Sequence, residues 1–564
     1  MFRPLNFISG FFLACLLGWL APEGLNGQSL EPPFYKEYQF STADSLRGSL
    51  RPERSCYDVY YYDLTVDIHP EKKQIEGLCD IYFTALTDFT RLQIDLFDNL
   101  DILSIEMNGR PLPFSRQYHA VFITLPPQLS GQRGHFQVRY TGKPVEALDP
   151  PWDGGFVWSS DANGSPWIGV ACEGVGASLW WPNKDHLSDE PDSMCIRIIV
   201  PDTLQAVANG NFMGSHSLAG GKRQYDWLVS YPINNYDVSV NIAQYAHFSD
   251  QYIALDGDSL ALDYYVLPEN LHKAETHFQQ VHKVLACYER YFGKYPFWRD
   301  GFALIETPYL GMEHQSGIAY GNRYLRGYLG GMIPEGMDWD YIIVHETGHE
   351  YFGNSVSCND LAELWIHESF TTYMEALFVE CAYSYRDAVR YMEYQRFAIG
   401  NREPLLGPSG VNWDHWEDSD QYYKGAWVLH TLRHVINDDA LWFDILRSFY
   451  QKYALGHAGT REFIQTLNQC TKKDFTAVLL QYLLYPELPM LEYRTEALEN
   501  GGTKLTCRWT ADVPGFDMPV PIGSASYFQL VYPTMEWQTF DLEEIKHQDF
   551  RIARELALIA VEEL

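Results

Sequence analysis

Two histidines and two glutamates at fixed spacing are the residues of this sequence best suited to chemistry. His345 and His349 are four residues apart, so on an α-helix both side chains lie on the same face. They can therefore bind one metal ion together, and Glu346 is placed to take a proton from a water that the metal activates. Glu368 follows His349 after eighteen residues and offers a third ligand, which leaves one position of a tetrahedral zinc site for water. The spacing predicts a hydrolytic site with one zinc ion bound by His345, His349 and Glu368.

The residues around these four predict that both pieces lie on buried helices. Residues 341–344 are apolar up to the first histidine, and apolar positions recur at helical spacing on the face that carries Glu368: Leu361, Leu364, Trp365, Thr372 and Ala376. A carboxylate on a buried face is costly unless a cation compensates its charge. The alternative is a hydrogen-bonded pair of core histidines without a metal, and the third ligand at this spacing favours the metal site.

Composition and charge exclude several classes of protein. The chain has 564 residues, of which 46% are hydrophobic and 15% aromatic, so it is long enough for more than one folded domain and is not mainly disordered. Its formal net charge of −33 opposes binding to nucleic acid or to an anionic membrane surface. The same charge suits a cationic ligand such as a peptide N-terminus, although it is equally consistent with solubility alone.

The first residues are typical of an export signal. Arg3 is followed by an almost wholly apolar run from Leu5 to Ala21, and cleavage near Gly27 defines a predicted signal peptide at 1–27. Lipidation at Cys15 and an uncleaved membrane anchor remain as alternatives. We therefore expect an exported protein, periplasmic or secreted, whose membrane contact is confined to this N-terminus. The other nine cysteines form no Cys-x-x-Cys pair, and their pairing and the oligomeric state stay open.

Hydrophobic periodicity divides the rest of the chain into three parts. Short alternating segments such as Tyr57–Ile68 and Gln74–Leu86 predict an N-terminal antiparallel β domain over 28–250. The period then changes to that of helices, as in Glu269–Phe292, and predicts a mostly helical zinc catalytic domain over 251–487. Strand patterns return for a small C-terminal β-sandwich-like domain over 488–564. The expected fold class is α+β multidomain.

Three separated motifs resemble those of the gluzincin zinc metallopeptidases of the aminopeptidase N and leukotriene-hydrolase family. The first is the zinc motif itself, with Glu368 in the context Leu364–Phe370. The second is Leu310–His314, similar to the family's Gly-Ala-Met-Glu-Asn, and the third is Gln421–Gly425, similar to its Pro-Tyr-Glu-Lys-Gly. The resemblance covers most of the chain after the signal and identifies it as a member of this family, of the exported bacterial kind with a thermolysin-like catalytic domain.

The resemblance implies roles for residues that spacing alone does not assign. Tyr422 would donate a hydrogen bond to the oxyanion, Tyr423 being the competing assignment. The resemblance also agrees with the general-base role that the spacing predicts for Glu346. Glu313, with Glu173 from the β domain, would bind the free α-ammonium of a peptide. Two further sets are implied or proposed with them: Gly311 and Met312 as lining of the substrate channel, and Glu363 and Glu375 as candidate partners of the zinc histidines.

Departures from the family motifs concern substrate preference more than reaction type. His314 replaces the motif's Asn, and Ser369 replaces the Gly after the third ligand. The sequence therefore predicts a zinc aminopeptidase that hydrolyses the N-terminal bond of peptides. The alternatives are a thermolysin-type endopeptidase, a lipid epoxide hydrolase as in the leukotriene-hydrolase branch, and a scaffold with an inactive site.

Overall fold

The computed structural model describes residues 30–524 and 527–564, so the predicted signal segment 1–27 lies outside the described residues. Within them the chain forms an N-terminal β part, a mostly helical part and a C-terminal β part, which confirms the predicted α+β fold class. In the described residues no helix combines the length and the apolarity that crossing a membrane requires.

The N-terminal part consists of three sheets that follow two short helices. The main sheet has eight strands in the order β13-β14-β11-β1-β2-β8-β4-β5, and it is antiparallel except where β1 and β11 run parallel. The other two sheets have the orders β12-β15-β10-β9 and β3-β7-β6. The elements are α1 (Thr42–Gly48), α2 (Pro52–Ser55), β1 (Tyr57–His69), β2 (Gln74–Ala85), β3 (Phe89–Asp95), β4 (Leu100–Met107), β5 (Arg110–Pro111), β6 (Phe114–Gln117), β7 (Ala120–Gln128), β8 (Arg133–Gly142), β9 (Gly155–Ser160), β10 (Pro166–Ala171), β11 (Ser193–Pro201), β12 (Gln205–Val207), β13 (Asn211–Leu218), β14 (Lys222–Val229) and β15 (Asn241–Ala243).

The middle part begins with a five-stranded sheet of order β16-β17-β18-β20-β19 and continues as helices. Its strands are β16 (Ala246–Ile253), β17 (Ser259–Val266), β18 (Phe302–Glu306), β19 (Gly311–Met312), β20 (Gly317–Tyr320), β21 (Val356–Ser357) and β22 (Gly456–His457). Its helices are α3 (Leu271–His277), α4 (Gln280–Phe292), α5 (Tyr341–His349), α6 (Trp365–Ala382), α7 (Tyr385–Gln395), α8 (Tyr423–Ile436), α9 (Asp439–Tyr453), α10 (Thr460–Thr471) and α11 (Thr476–Leu484). The expected boundary at residue 250 falls inside β16, so we propose Ala246 as the start of the catalytic domain.

Two helices of this part carry the zinc motif and are almost completely enclosed. Asp340 starts α5, because its carboxylate accepts hydrogen bonds from the backbone N–H groups of Ile342 and Ile343. All residues of α5 are buried, as are those of α6 through Val379. The predicted apolar stripe from Trp365 to Ala376 therefore lies on a helix that is buried on every side, whereas Leu361 and Leu364 precede that helix.

Helix boundaries differ from the sequence expectation in two places. The predicted helix Glu269–Phe292 is broken at Phe278 and Gln279, which separate α3 from α4. Helix α7 was not predicted, although Ser384 caps its first turn by accepting a hydrogen bond from the backbone of Asp387.

The C-terminal part is a pair of small sheets packed against the helices. Their orders are β27-β24-β23-β29 and β26-β25-β28, and apolar residues such as Leu491, Leu505 and Trp509 belong to the same hydrophobic core as the helices. The strands are β23 (Met490–Ala497), β24 (Gly502–Thr510), β25 (Val520–Gly523), β26 (Phe528–Val531), β27 (Gln538–Lys546), β28 (Arg551–Ile552) and β29 (Ala560–Glu563).

A disulfide ties the helix that carries Glu368 to the rest of the helical part. It joins Cys287 of α4 to Cys381 near the end of α6, with 94 residues of sequence separation. Helix α4 is also bonded to α5, since the hydroxyl of Tyr288 donates to the carbonyl of Val344. The two motif helices are thus held by one common neighbour.

Candidate active site

The three predicted metal ligands meet at one point between α5 and α6. The Nε2 atoms of His345 and His349 are 3.1 Å apart, and Oε2 of Glu368 lies 3.5 Å from the first and 3.3 Å from the second. Donors bound to zinc at about 2.0–2.1 Å in a tetrahedron are separated by about 3.3–3.4 Å. The observed triangle therefore has the size that a zinc ion requires.

The surroundings of Glu368 also fit a cation. Its Oε2 is buried and has no hydrogen-bond partner in the protein, which is costly for a carboxylate unless a cation is bound. Burial alone would raise the pKa of Glu368, yet His349 and His345 hold it well below its usual value. The carboxylate is thus kept charged and faces two imidazoles, the donor set of a two-histidine, one-glutamate zinc site.

Hydrogen bonds on the far side of each imidazole fix its orientation. Nδ1 of His345 donates to Oε1 of Glu375 at 2.6 Å, and Nδ1 of His349 donates to the carbonyl of Phe352 at 3.0 Å. Both rings therefore carry their proton on Nδ1 and leave Nε2 free for a metal. Glu363, the other proposed partner, instead accepts from the backbone N–H of Thr460, so that proposal is wrong for Glu363.

Glu346 lies in a closed environment beside the ligands. Its side chain is buried, and a Cβ placed on Gly311 of β19 would come within 2.7 Å of its Oε1. The absence of a side chain at Gly311 therefore lets this strand pack directly on the carboxylate. Burial raises the pKa of Glu346 to about 8, against the lowering effect of His345 and His349. A carboxylate with such a pKa is a better proton acceptor near neutral pH than an ordinary glutamate.

A second group of carboxylates closes one end of the site. Glu313 is buried, and ligand atoms of Glu313, Glu346 and His349 lie within 4.8 Å of one another. The hydroxyl of Tyr236 donates to Oε1 of Glu313 at 3.1 Å. Burial and then the charge of Glu313 raise the pKa of Glu173 well above its usual value, so these two side chains share one acidic environment. Such a pair is suited to binding a cationic group that would neutralise it.

Tyr422 faces the ligands from the start of α8. Its ring is stacked 6.1 Å from that of His345, and burial followed by the charges of Glu368 and Glu173 raises its pKa well above the usual value. The hydroxyl is therefore protonated at neutral pH and able to donate a hydrogen bond. Tyr423 lines the same cavity, but after burial the charge that raises its pKa most is that of Glu375 behind His345.

All predicted site residues line one cavity of about 410 Å³ between the β part and the helices. Those residues are Glu173, Gly311, Met312, Glu313, His345, Glu346, His349, Glu368 and Tyr422. Tyr341, Tyr328 and Trp152 add aromatic wall, and Tyr341 stacks on His345 at a ring distance of 5.2 Å. The structure brings these nine residues together in one cavity.

Sequence reasoning missed two contributions to the site. Tyr236 bonds Glu313 from the β part, and Tyr391 of α7 donates to Oε2 of Glu375 at 2.5 Å, with Gln395 donating to the same oxygen at 2.8 Å. A single tyrosine among 39 carries no signal of its own. These contacts arise from tertiary packing and have no spacing that a sequence could display.

Comparison with known proteins agrees with this geometry. Residues 276–482 match the family model described as the peptidase family M1 domain. Aminopeptidase N of Escherichia coli is 20% identical over 444 residues, which is 74% of this chain and 48% of that protein. A probable aminopeptidase 1 of Saccharolobus solfataricus is 19% identical over 442 residues, 76% of this chain and 53% of the relative. The chain thus spans about half the length of these two curated relatives.

Solved structures show the same fold. The M1 zinc metallopeptidase of Deinococcus radiodurans superimposes with a TM-score of 0.62 at 20% identity, covering 75% of this chain and 94% of that one. Three quarters of this chain is more than either the β part or the helical part contains. The superimposed region therefore includes residues of both parts. Residues 276–482 are thus similar to the peptidase family M1 domain, and within this fold they hold two histidines and a glutamate of the kind found in gluzincins of the aminopeptidase N family.

Proposed function

We propose that this protein is a zinc-dependent aminopeptidase that hydrolyses the N-terminal peptide bond of peptides. The observation that carries the proposal is the acidic pair of Glu313, which is buried, and Glu173, which is partly buried, at one end of the cavity that holds the three ligand residues. An α-ammonium bound there would bring the first peptide bond to the ligands, since only the α-carbon separates the amine from the carbonyl. Relatives named aminopeptidases, and a mutant of the Deinococcus protein solved with a Tyr-Ser-Ala substrate, support this reading.

The chain's own groups divide the reaction between them. His345, His349 and Glu368 would hold zinc. When bound, zinc polarises the carbonyl group of the substrate and lowers the pKa of water, so that water loses a proton more readily and can attack the carbonyl carbon. Glu346 takes the proton of the attacking water and passes it to the nitrogen of the departing peptide. The hydroxyl of Tyr422 donates a hydrogen bond to the carbonyl oxygen as negative charge develops there.

The acidic end of the cavity separates this activity from internal cleavage. Glu313 is buried and receives a hydrogen bond from Tyr236, so its carboxylate is held in place before any substrate binds. A peptide that continued past this end would leave the buried carboxylate of Glu313 without a cation, which costs several kcal/mol. An endopeptidase cleaves internal bonds and does not need a group that binds a free α-ammonium. We therefore disfavour the thermolysin-type alternative.

Export is the proposed location. The support is the apolar segment Leu5–Ala21 behind Arg3, together with the disulfide Cys287–Cys381, since disulfides persist chiefly in oxidising compartments. A periplasmic or secreted enzyme would meet free peptides as substrates.

The test compares peptides that differ in their N-terminus alone. We expect chelator-sensitive release of the first residue from Ala-Gly-Ala and at least about a hundredfold slower cleavage of its acetylated form, because the acetyl group removes the cation that Glu313 binds. Glu313→Ala should reduce this discrimination, whereas Glu335→Ala, which removes an exposed carboxylate of the same domain, should keep it.

Three outcomes would contradict the proposal. Equal cleavage of free and acetylated peptides would indicate an endopeptidase. Full activity in protein shown to be free of metal would exclude the zinc mechanism. Absence of turnover on every free peptide tested would leave the aminopeptidase function without support.

A further inference from the structure

A second cavity of about 350 Å³ opens beside the active-site cavity, and the roles assigned above do not use it. The two cavities have four wall residues in common, so they are adjoining parts of one cleft: Met332, Tyr341, Ala398 and Tyr423. The remaining walls of the second cavity are Tyr391, Tyr394, Gln395 and Phe397. We call it the aromatic chamber. Among the described residues that line it none is charged, so it suits an uncharged side chain.

The chamber and the acidic end lie on opposite sides of the metal ligands. Tyr341, His345 and His349 follow one another at intervals of one turn along α5, and Tyr341 stacks on His345. Glu313 lies at the other end of this row, with its carboxylate within 4.8 Å of His349 and Glu346. Eight residues, roughly 12 Å along the helix axis, therefore separate Tyr341 in the chamber wall from His349 beside Glu313.

This separation determines which part of a peptide can reach the chamber. If the α-ammonium is held at Glu313, the first residue spans the short distance to the ligands, and the residue after the cleaved bond continues towards Tyr341. We propose that the aromatic chamber binds the side chain of the second residue of the substrate and prefers an aromatic side chain there. The proposal rests on the proposed aminopeptidase function and names the substrate class of that same site.

The mouth of the chamber supports an aromatic occupant. Phe397 is 93% exposed, Tyr394 46% and Met332 44%, so a cluster of large apolar side chains faces solvent beside the cleft. Apolar surface of this kind typically marks a place where another apolar group binds. Aromatic rings also attract a further ring in edge-to-face or offset geometry, which a small or charged side chain cannot exploit.

The inner wall of the chamber is tied to a metal ligand and is unsuitable for a test. Tyr391 and Gln395 both donate to Oε2 of Glu375, whose other oxygen accepts from His345. Substitution there would disturb His345 as well as the chamber. The exposed residues Phe397 and Tyr394 can be changed without touching that network.

The experiment measures kcat/KM for the peptides Ala-Gly-Ala, Ala-Leu-Ala and Ala-Phe-Ala. We expect Ala-Phe-Ala to exceed Ala-Gly-Ala about tenfold, the order expected when one ring is buried against others. The double variant Phe397→Ala with Tyr394→Ala should reduce this ratio to about threefold or less. Phe114→Ala removes a comparably exposed ring from β6, outside the cleft, and should keep the ratio.

Each outcome decides for or against the chamber. A ratio near one in the native enzyme, or a ratio that survives the double variant, overturns the proposal. If the double variant instead changes the ratio of Phe-Ala-Ala to Gly-Ala-Ala, the assignment to the second residue is wrong. If turnover is chelator-sensitive but does not depend on the second residue, the chamber proposal alone is overturned. If no tripeptide is hydrolysed, both the proposed function and the chamber proposal are overturned.

Discussion

Glu346 is enclosed between α5 and the backbone of β19, where Gly311 leaves no room for a side chain. Burial raises its pKa to about 8 although two histidines flank it on the same helix. The residue thus combines an ordinary side chain with surroundings that make it a strong proton acceptor. Its chemistry comes from packing as much as from the residue type.

Glu346→Gln should abolish most of the activity and keep the metal. The amide has nearly the same volume but cannot accept the proton of water, so kcat should fall by about 10²–10⁴. Zinc content, measured by elemental analysis, should stay at one ion per chain because His345, His349 and Glu368 are unchanged. Near-normal turnover in a zinc-loaded variant would show that Glu346 is not the general base.

Tyr236→Phe should weaken recognition of the free N-terminus. The change removes the hydroxyl that donates to Glu313 at 3.1 Å, and a lost hydrogen bond to a charged group costs about 1.5–3 kcal/mol. KM for Ala-Gly-Ala should rise at least about tenfold, with a smaller effect on kcat, in steady-state kinetics.

A matched control for that change is Tyr252→Phe. Tyr252 also donates to a buried glutamate, Glu289, at 2.6 Å, but Glu289 does not line the active-site cavity, whereas Glu313 does. Equal effects of the two variants on KM would show that Tyr236 contributes to stability alone.

Helix α6 performs two tasks at the level of secondary structure. It brings Glu368 to the histidines and, two turns later, places Glu375 behind His345. The sequence alone could not choose between Glu363 and Glu375 as the partner of a histidine. The reason is that α6 begins at Trp365, so Glu363 lies in a separate preceding turn and points to Thr460.

Glu375→Ala should therefore lower zinc affinity, whereas Glu363→Ala should not. Loss of a carboxylate that orients a metal-bound histidine typically costs 10–100-fold in affinity. The measurement is a competition titration of the metal-free protein with a zinc chelator of known affinity. An unchanged affinity in Glu375→Ala, or an equal loss in Glu363→Ala, would contradict the assigned contact.

Other elements show where sequence reasoning succeeds and where it stops. Strands β1 (Tyr57–His69) and β2 (Gln74–Ala85) each differ by one residue from the predicted segments Tyr57–Ile68 and Gln74–Leu86, because their alternating apolar faces are strong local signals. The break between α3 and α4 and the existence of α7 depend on packing against other helices. The metal ligands could also be predicted, because their spacing in the sequence is local. Tyr236 and Tyr391 could not, because only the tertiary fold brings them to the site.

At the level of the whole molecule, buried titratable groups couple folding to pH. His314 is fully buried with no partner for either ring nitrogen, and burial lowers its pKa to about 3. In the unfolded chain the same histidine binds a proton near pH 6.5. Unfolding therefore takes up a proton between these values, and stability falls as the pH is lowered through 6.5.

His314→Asn should make stability less dependent on pH. The native histidine costs the folded state about 2 kcal/mol between pH 6.5 and pH 5, at about 1.4 kcal/mol per pH unit, and asparagine has no such cost. The check is urea unfolding of both proteins at the two pH values. His272→Asn, at an almost fully exposed position, is the control, and equal pH dependence in the native protein and His314→Asn would refute the account.

Two residues of the N-terminal β part, Tyr236 and Glu173, belong to the surroundings of Glu313. Tyr236, which donates to Glu313, and Glu173, whose pKa the charge of Glu313 raises, both come from the β part, outside the segment 276–482 that matches the peptidase family M1 domain. A recombinant catalytic segment could retain all three metal ligands and the proton acceptor, yet it would lack one wall of its substrate site. Exchange of β domains between relatives would accordingly alter how the N-terminus of a peptide is bound, while the metal ligands and the general base stay the same. Substrate preference and catalysis can therefore evolve on different domains.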